Sequence, residues 1–460
     1  MTTKAENETP SLWRNRSFTT LLTGEAISHA GVQIATLALP ITAVNYLGAD
    51  ERESGLVLAA ATSAFLLIGL PAGAWVDRMR KRPVMMTANL VRAALMAMIP
   101  ALYMTGHLTI AWLIGIAFAL GFATVFFDVA YLSVVPSLVR KEHLGQANAN
   151  LETVGIVARV AGPGAAGLLT RILEAPNLLG AGAIGYLASA FAVSRIKAEE
   201  QRGEKSAGGL WSEVREGTSF VFRHPLLSRT TLSAAAVGLF DNLARALMAI
   251  LILREMGVSE TAYGMLFTLA ALASLGGARL APWLQSRFGS GKVIVWGFGV
   301  AALTTAAYPL ALILPPTAGY LTLLASMLLG FGGITVFNIA HVTMRQQLCP
   351  PRMLGRMTAT MRFAMWGVMP IGSLLGGELG SRLGLGPAFL IALVGSILGW
   401  LIVALSPVRR VRSADEWLAR QDHPSTWARE RVESSRIKEV KPGEQSLEAT
   451  SVDVDGQVPR

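Results

Sequence analysis

The chain has 460 residues, 52% hydrophobic and only 15% charged, with a mean hydropathy of +0.47. Soluble domains carry about 25% charged residues, so a water-soluble globule is excluded, and long uninterrupted apolar runs exclude a β-barrel, whose strands alternate apolar and polar residues. The formal charge of +10 does not point to nucleic acid: residues 409–460 hold ten basic and ten acidic residues, so the surplus lies in the apolar body.

Residues 1–17 are polar, and the apolar stretch from Phe18 is too long and lacks the small-residue cleavage site of a secretory signal. A helix needs roughly 20 apolar residues to cross a hydrocarbon core. Residues 93–127 contain no Asp, Glu, Lys or Arg over 35 positions, and residues 293–344 none over 52, so each holds more than one crossing. Breaks at charged or Gly/Pro-rich segments predict twelve transmembrane helices: 18–46, 54–76, 84–105, 109–138, 146–173 and 178–195, then 227–253, 261–284, 293–314, 319–347, 356–382 and 387–406. The expected organisation is a segment 1–17, a six-helix bundle 18–195, a linker 196–225, a second bundle 226–406 and a tail 407–460. The linker carries Lys197 to Lys205 and then Trp211–Arg223, which reads as an amphipathic helix on the membrane surface. The tail mixes charges with Pro, Ser and Gly, which predicts disorder and a short helix around Ser413–Arg431. The single cysteine, Cys349, excludes an internal disulfide and a cysteine-rich metal site.

Short loops richest in Lys and Arg stay on the cytoplasmic side. Arg78, Arg80, Lys81 and Arg82, then Arg140 and Lys141, the linker, Arg287 and Lys292, and Arg352 and Arg356 all fall on the side of both termini. On the opposite side Asp50–Glu53 holds only Arg52, and Gly106–Leu108, Ala175–Asn177, Pro315–Ala318 and Gly384–Gly386 hold no base. A cell-membrane protein with both ends cytoplasmic is expected. Shifting the first half by about 210 residues aligns Phe127-Asp128-Val129-Ala130 with Phe337-Asn338-Ile339-Ala340, Leu144-Gly145 with Leu354-Gly355, Gly162 with Gly372 and Gly167 with Gly377. Two related bundles imply a transporter with its site at the repeat interface.

Ionisable side chains within spans are costly unless they face a cavity or a partner. Span 1 offers Glu25, His29, Gln33 and Thr36 on one face; span 4 offers Asp128 and Tyr131; span 7 offers Asp241, Asn242 and Arg245; span 10 offers Asn338, His341 and Arg345. Asp128 lies mid-span in uncharged surroundings and is a candidate to load and release a proton, or a structural partner of Arg92 or Arg159. His29 and His341 read equally well as packed core histidines. Gly162-Pro163 predicts a bend in span 5, and Gly69 and Gly73 form a GxxxG face on span 2. No nucleotide-binding loop is present, so neither an enzyme nor ATP-driven transport is expected.

The segment Gly69-Leu-Pro-Ala-Gly73-Ala-Trp-Val-Asp77-Arg78-Met-Arg80-Lys81-Arg82 resembles the loop motif of the major facilitator superfamily, with a degraded second copy at Gly277–Lys292. Pro136–Ala149, Arg159-Val-Ala-Gly162-Pro163 and Phe220–Leu227 resemble the proton-antiporter branch that contains macrolide-efflux proteins and the enterobactin exporter. Ala149, Ala158 and Ala166 stand where that branch has glycines on span 5, and span 4 lacks its arginine motif. The resemblance implies a major facilitator fold in which spans 1, 4, 7 and 10 line a central cavity, with apolar walls such as Phe126, Phe127, Tyr131, Phe240 and Phe337. It implies that Asp77 pairs with Arg78 or Arg82 and latches the halves against span 11. It also implies a monomeric exporter of amphipathic small molecules that exchanges them for protons without a cofactor. A dedicated exporter of one metabolite, such as a siderophore, and a non-transporting sensor or scaffold are the alternatives.

Overall fold

The computed structural model describes residues 15–139, 143–195, 210–350 and 353–419, and among these the regular structure is all helical, joined by short turns. Helix α1 (Arg16–Ile41) starts at Asn15, whose side chain accepts from the Phe18 N–H, and widens into a π-helical turn at Thr42–Tyr46. Helix α2 (Glu51–Leu67) opens on a reciprocal cap: Glu53 N donates to Asp50 at 2.7 Å and Asp50 N to Glu53 at 3.0 Å. Such a box satisfies two N–H groups that the helix leaves without partners. Helix α3 (Pro71–Asp77) follows a turn at Gly69, where a β-carbon would run into the Phe65 carbonyl. Helices α4 (Lys81–Met104), α5 (Ile110–Leu138), α6 (Leu144–Leu169) and α7 (Ala175–Ser194) complete the first half.

Helix α8 (Leu210–Arg223) precedes α9 (Pro225–Ala249), which also ends in a π-helical turn, at Ile250–Glu255. The two π turns sit about 208 residues apart, so the repeat is present in backbone distortion as well as in sequence. Then come α10 (Glu260–Phe288), α11 (Ser290–Thr304), α12 (Ala307–Ile313), α13 (Pro316–Leu348), α14 (Leu354–Trp366), α15 (Met369–Leu383), α16 (Leu385–Ala404) and α17 (Ala414–Ala419). Among the described residues nine rods are long and apolar enough to cross a membrane. The sequence predicts twelve, and the three others have physical reasons for falling short. The second breaks at Gly69 and the eleventh at Gly367, while the fifth, α6, is diluted by Glu152, Arg159 and neighbouring amides.

The Gly69 turn also corrects the expected GxxxG face, because the helix is interrupted there. Lys81 Nζ donates to the Val76 carbonyl at 2.6 Å, and Arg82 donates to the Val193 and Ser194 carbonyls, closing the C-terminal end of α7. Cations suit such ends because unpaired carbonyls and the helix dipole favour positive charge. The surroundings of Gly73 and the Asp77 side chain lie outside what is described, as do residues 1–14, 140–142, 196–209, 351–352 and 420–460. Helix α6 runs unbroken through Pro163.

Two flanking pieces dock on the second half. Gly217 of α8 lies where a β-carbon would stand 2.8 Å from the Arg356 carbonyl of α14, and Glu216 pairs with Arg356. After α16, the chain returns along α11: Ser290 N and Gly291 N donate to the Arg412 and Val411 carbonyls, both at 3.0 Å. These bonds satisfy amides at the start of α11, which has no side-chain cap. Val408, Val411, Ala414 and Leu418 are buried, so 407–419 is part of the bundle.

His224 is the N-cap of α9. Its Nδ1 accepts from Leu226 N at 3.3 Å and Leu227 N at 3.4 Å, and half-burial pushes its pKa down to about 4. Only the unprotonated ring can accept, so this cap stabilises the fold above the ordinary histidine value and is lost as pH falls toward 4. Thermal unfolding of the detergent-solubilised protein is expected to show this loss between pH 6.5 and 4. His224→Asn, which caps without titrating, is expected to flatten that window while retaining stability at neutral pH.

Candidate functional site: a crevice between the halves

The halves meet along two helix pairs, α2 with α15 and α6 with α10. At the end opposite the termini the contacts are close. A β-carbon on Gly55 would lie 2.7 Å from Gly377 Cα, and one on Gly167 would lie 3.1 Å from Gly264 Cα. Polar bonds surround these backbones. Ser54 Oγ donates to the Ala246 carbonyl at 2.8 Å, Arg254 to the Ala49 carbonyl at 2.7 Å, and Asn45 to Glu260 at 2.8 Å. Arg52 pairs with Glu378 at 3.3 Å.

Toward the termini the same helices part. Between Glu152–Pro163 of α6 and Phe267–Ala278 of α10 lies a cavity of about 670 Å³, also lined by Gln33, Thr36 and Asn338. A second chamber of about 510 Å³ is lined by Asp241, Arg245, Phe337 and Asn338, and a third of about 340 Å³ by Thr36, Gly121, Thr124, Tyr186 and Tyr263. Arg245 lines all three chambers, so it stands at their junction. Its Nε donates to Asp241 at 2.6 Å one helical turn earlier, and Phe331 lies under the guanidinium at 6.0 Å. On the facing wall Arg159 pairs with Glu152 at 2.7 Å. Gln33 packs against Gly162, where a β-carbon would stand 2.5 Å from Gln33 Cβ.

A second polar cluster lies nearer the termini, within the first half. Glu25 is buried, with His29 Nε2 3.8 Å from its carboxylate, and Glu25 Oε1 has no hydrogen-bond partner among the described residues. Arg92 is 1% exposed; its guanidinium lies 4.1 Å from the Phe127 ring centroid and 4.5 Å from that of Tyr186. It also donates to Asn89, which donates to Ser189 at 2.9 Å. Asp128 and Tyr131 belong to the same electrostatic cluster, and Asp128 feels both Arg92 and Arg362 of α14 in the other half.

The structure thus divides the residues singled out in the sequence. Gln33, Pro163, Asp241, Arg245 and Asn338 line the chambers, while Glu25 and Asp128 interact with Arg92, His29 lies beside Glu25, and Tyr131 lies in the field of Glu25 and Asp128. Asn242 borders the second chamber, but its amide donates to the Gly238 carbonyl at 2.9 Å and backs onto Gly372. His341 is 1% exposed, stacks on Phe337 at 5.0 Å and lines none of the three chambers, so a packed histidine describes it. Phe240 packs on Gly395 of α16 away from them. Arg159, read as one possible partner of Asp128, pairs with Glu152 instead. The Glu152–Arg159 spacing of seven residues, two helical turns, was the available signal. Arg78 is exposed at the terminus-bearing end.

The profile of the transmembrane secretion effector family matches residues 9–437. The chain belongs to this family, a branch of the major facilitator superfamily. It is 25% identical over 402 residues to the multidrug efflux pump Tap of Mycolicibacterium fortuitum, covering 84% of this chain and 95% of that protein. Among solved structures it resembles a bacterial homologue of the iron transporter ferroportin in its inward-facing state, with a TM-score of 0.70 at 18% identity over 86% of this chain and 99% of that one. The outward-facing state of such a homologue gives 0.53 at 19% identity over 85% and 98%. A bacterial homologue of the human lysosomal transporter Spinster, inward-facing and unoccupied, gives 0.64 at 15% identity over 86% and 96%. Membership in this family makes the chain a multi-pass membrane transporter rather than an enzyme, and the solved structures show the major facilitator fold.

The close approach at Gly55 and Gly377 leaves no room for a side chain. Gly377→Val is expected to pry α2 from α15 and expose the sealed end. In a Cys349→Ala background, Ala49→Cys, buried at this seal, should then react several-fold faster with a bulky maleimide. An unchanged rate would show that the seal does not depend on this contact.

Proposed function

We propose that this protein exports amphipathic small molecules in exchange for protons by alternating access. The carrying observation is the crevice itself. It lies between the two halves, is sealed at one end, is mostly apolar in its walls, and holds its charged groups largely as pairs. The pairs Asp241–Arg245 and Glu152–Arg159 neutralise each other, so neither sign of ligand is strongly selected. Binding is then left to apolar contact with a few polar groups fixing orientation, which suits many amphipathic substrates. The relation to Tap, a multidrug efflux pump, supports the same reading.

Positive residues concentrate at the terminus-bearing end, which makes that end cytoplasmic. On that reading the conformation is inward-open, in keeping with the higher overall likeness to an inward-facing transporter than to an outward-facing one. The proton site is assigned to the Glu25–Asp128–Arg92 cluster. Two carboxylates share one buried guanidinium, and one oxygen of Glu25 lacks a partner, so a proton balances the charge in a medium where unbalanced charge is costly. Arg362 of the other half acts on Asp128 through space. When the halves rock, that cation moves relative to Asp128, and a proton takes its place.

Two measurements test the proposal. In inverted vesicles an acid-inside gradient should drive uptake of fluorescent amphipathic dyes, and collapsing the gradient should stop it; uptake indifferent to the gradient would end the antiport reading. Asp128→Asn is expected to abolish gradient-driven uptake with expression and melting unchanged, whereas wild-type uptake by this variant removes Asp128 from the mechanism. Response to a single compound out of a chemically varied panel would instead favour a dedicated metabolite exporter.

A further inference from the structure

A crevice that shares no lining residue with the central chambers lies on the outer side of the second half, at the terminus-bearing end. It has a volume of about 520 Å³ and is lined by Lys292, Arg409 and Arg410 with Val295, Trp296 and Ala404. Three cations and no acid line it. Among the described residues none of the three takes part in an ion pair, and all three are exposed. Like charges brought together without a counter-charge are unfavourable, and the fold spends specific bonds on holding them there. Backbone bonds from Ser290 and Gly291 to Arg412 and Val411 pin the segment bearing Arg409 and Arg410 against the start of α11, which bears Lys292. Behind them Trp400 Nε1 donates to the Val295 carbonyl at 2.9 Å, fixing α16 on α11 and with them the apolar floor.

The level of this crevice is marked independently. Trp283, Phe288 and Trp296 form an edge-to-face chain, with ring centroids 6.3 Å and 4.9 Å apart, and both tryptophans are about half exposed. Exposed Trp at helix ends marks the headgroup layer of a bilayer. Lys292 is in the first turn of α11 and Ala404 ends α16, so the cations sit where α11 and α16 leave the hydrocarbon and the apolar floor continues toward it.

We propose that this crevice binds the phosphate headgroup of an anionic membrane phospholipid, with Lys292, Arg409 and Arg410 around the phosphate and an acyl chain along Val295 and Trp296. Basic pockets between spans at the membrane edge recognise such headgroups, each cation contributing a favourable increment. A soluble phosphate compound would satisfy the same cations but has no use for the apolar floor, and the lipid is therefore the occupant.

The test uses the full-length protein in phosphatidylcholine nanodiscs doped with phospholipid brominated on its acyl chains, which quenches tryptophan on contact. Brominated phosphatidylglycerol is expected to quench more than brominated phosphatidylcholine at equal mole fraction, and Trp296→Phe should remove that excess. The triple variant K292A/R409A/R410A should bind phosphatidylglycerol ~100-fold more weakly, while Arg229→Gln, which removes an exposed cation at the same end, should leave it unchanged. If the triple variant fails to fold, Lys292→Gln alone should show ~5-fold weaker binding. Equal quenching by the two lipids, an equal loss in Arg229→Gln, or displacement of the lipid by inorganic phosphate at the same concentration would each overturn the assignment.

Discussion

The contact on which the rest depends is the approach of backbone to backbone where the two halves close. Between spans in lipid, burying apolar surface gives no drive, because the acyl chains are as apolar as the side chains they replace. Association there rests on van der Waals packing, and small residues permit it. Gly55 against Gly377 and Gly167 against Gly264 bring the halves together at one end, and the bonds of Ser54, Arg254 and Asn45 add direction. None of these contacts buries a large apolar area that would have to be re-exposed when the end opens. A seal of many small contacts can hold one state and still yield to another of similar energy, as a cycle between two states requires.

Because the closest backbone approaches lie at one end, α6 and α10 diverge toward the other and leave the crevice between them. Its charged residues persist because each has company: Asp241 has Arg245 one turn away, and Glu152 has Arg159 two turns away. A pair within one helix moves with that helix, so these charges stay satisfied whichever way the crevice faces. The cluster around Arg92 differs. Its anions outnumber its local cation, and Arg362 of the other half acts on Asp128 only through space. A charge paired within its own half keeps its partner if the halves move, whereas an influence from across the halves changes with their separation.

Much of this was legible in the sequence. The apolar runs locate every rod to within a few residues at most ends, and the 210-residue offset has a physical echo in the paired π turns. The helix addresses of Gln33, Asp241, Arg245 and Asn338 were enough to place them on the crevice, because a charged side chain in a span has few places to go. What periodicity could not show was which partner each would take. His341 sits three residues from Asn338, about 60° farther round the helix, and that rotation turns it from the chamber into the packing against Phe337. Arg92 looked like a partner for Asp128 alone. In the fold its guanidinium lies between two aromatic rings and an amide, a three-way arrangement drawn from α4, α5 and α7 that no local spacing encodes. The breaks at Gly69 and Gly367 were also hidden, since glycine in a span reads equally as close packing or as interruption.

The segment after α16 shows how local chemistry extends a bundle beyond its spans. Composition alone treats residues 407–419 as the start of a polar tail. Yet α11 begins without a side-chain cap, its first amides need acceptors, and the carbonyls of Val411 and Arg412 supply them. Once those bonds are made, the three-residue period of the 3-10 turn at Pro407–Arg410 sends Val408 and Val411 inward and leaves Arg409 and Arg410 facing out. The requirement of one helix for acceptors thus fixes where two exposed cations stand, beside Lys292 and above an apolar wall. In a membrane protein that placement puts exposed cations at the edge of the bilayer, where headgroup phosphates stand.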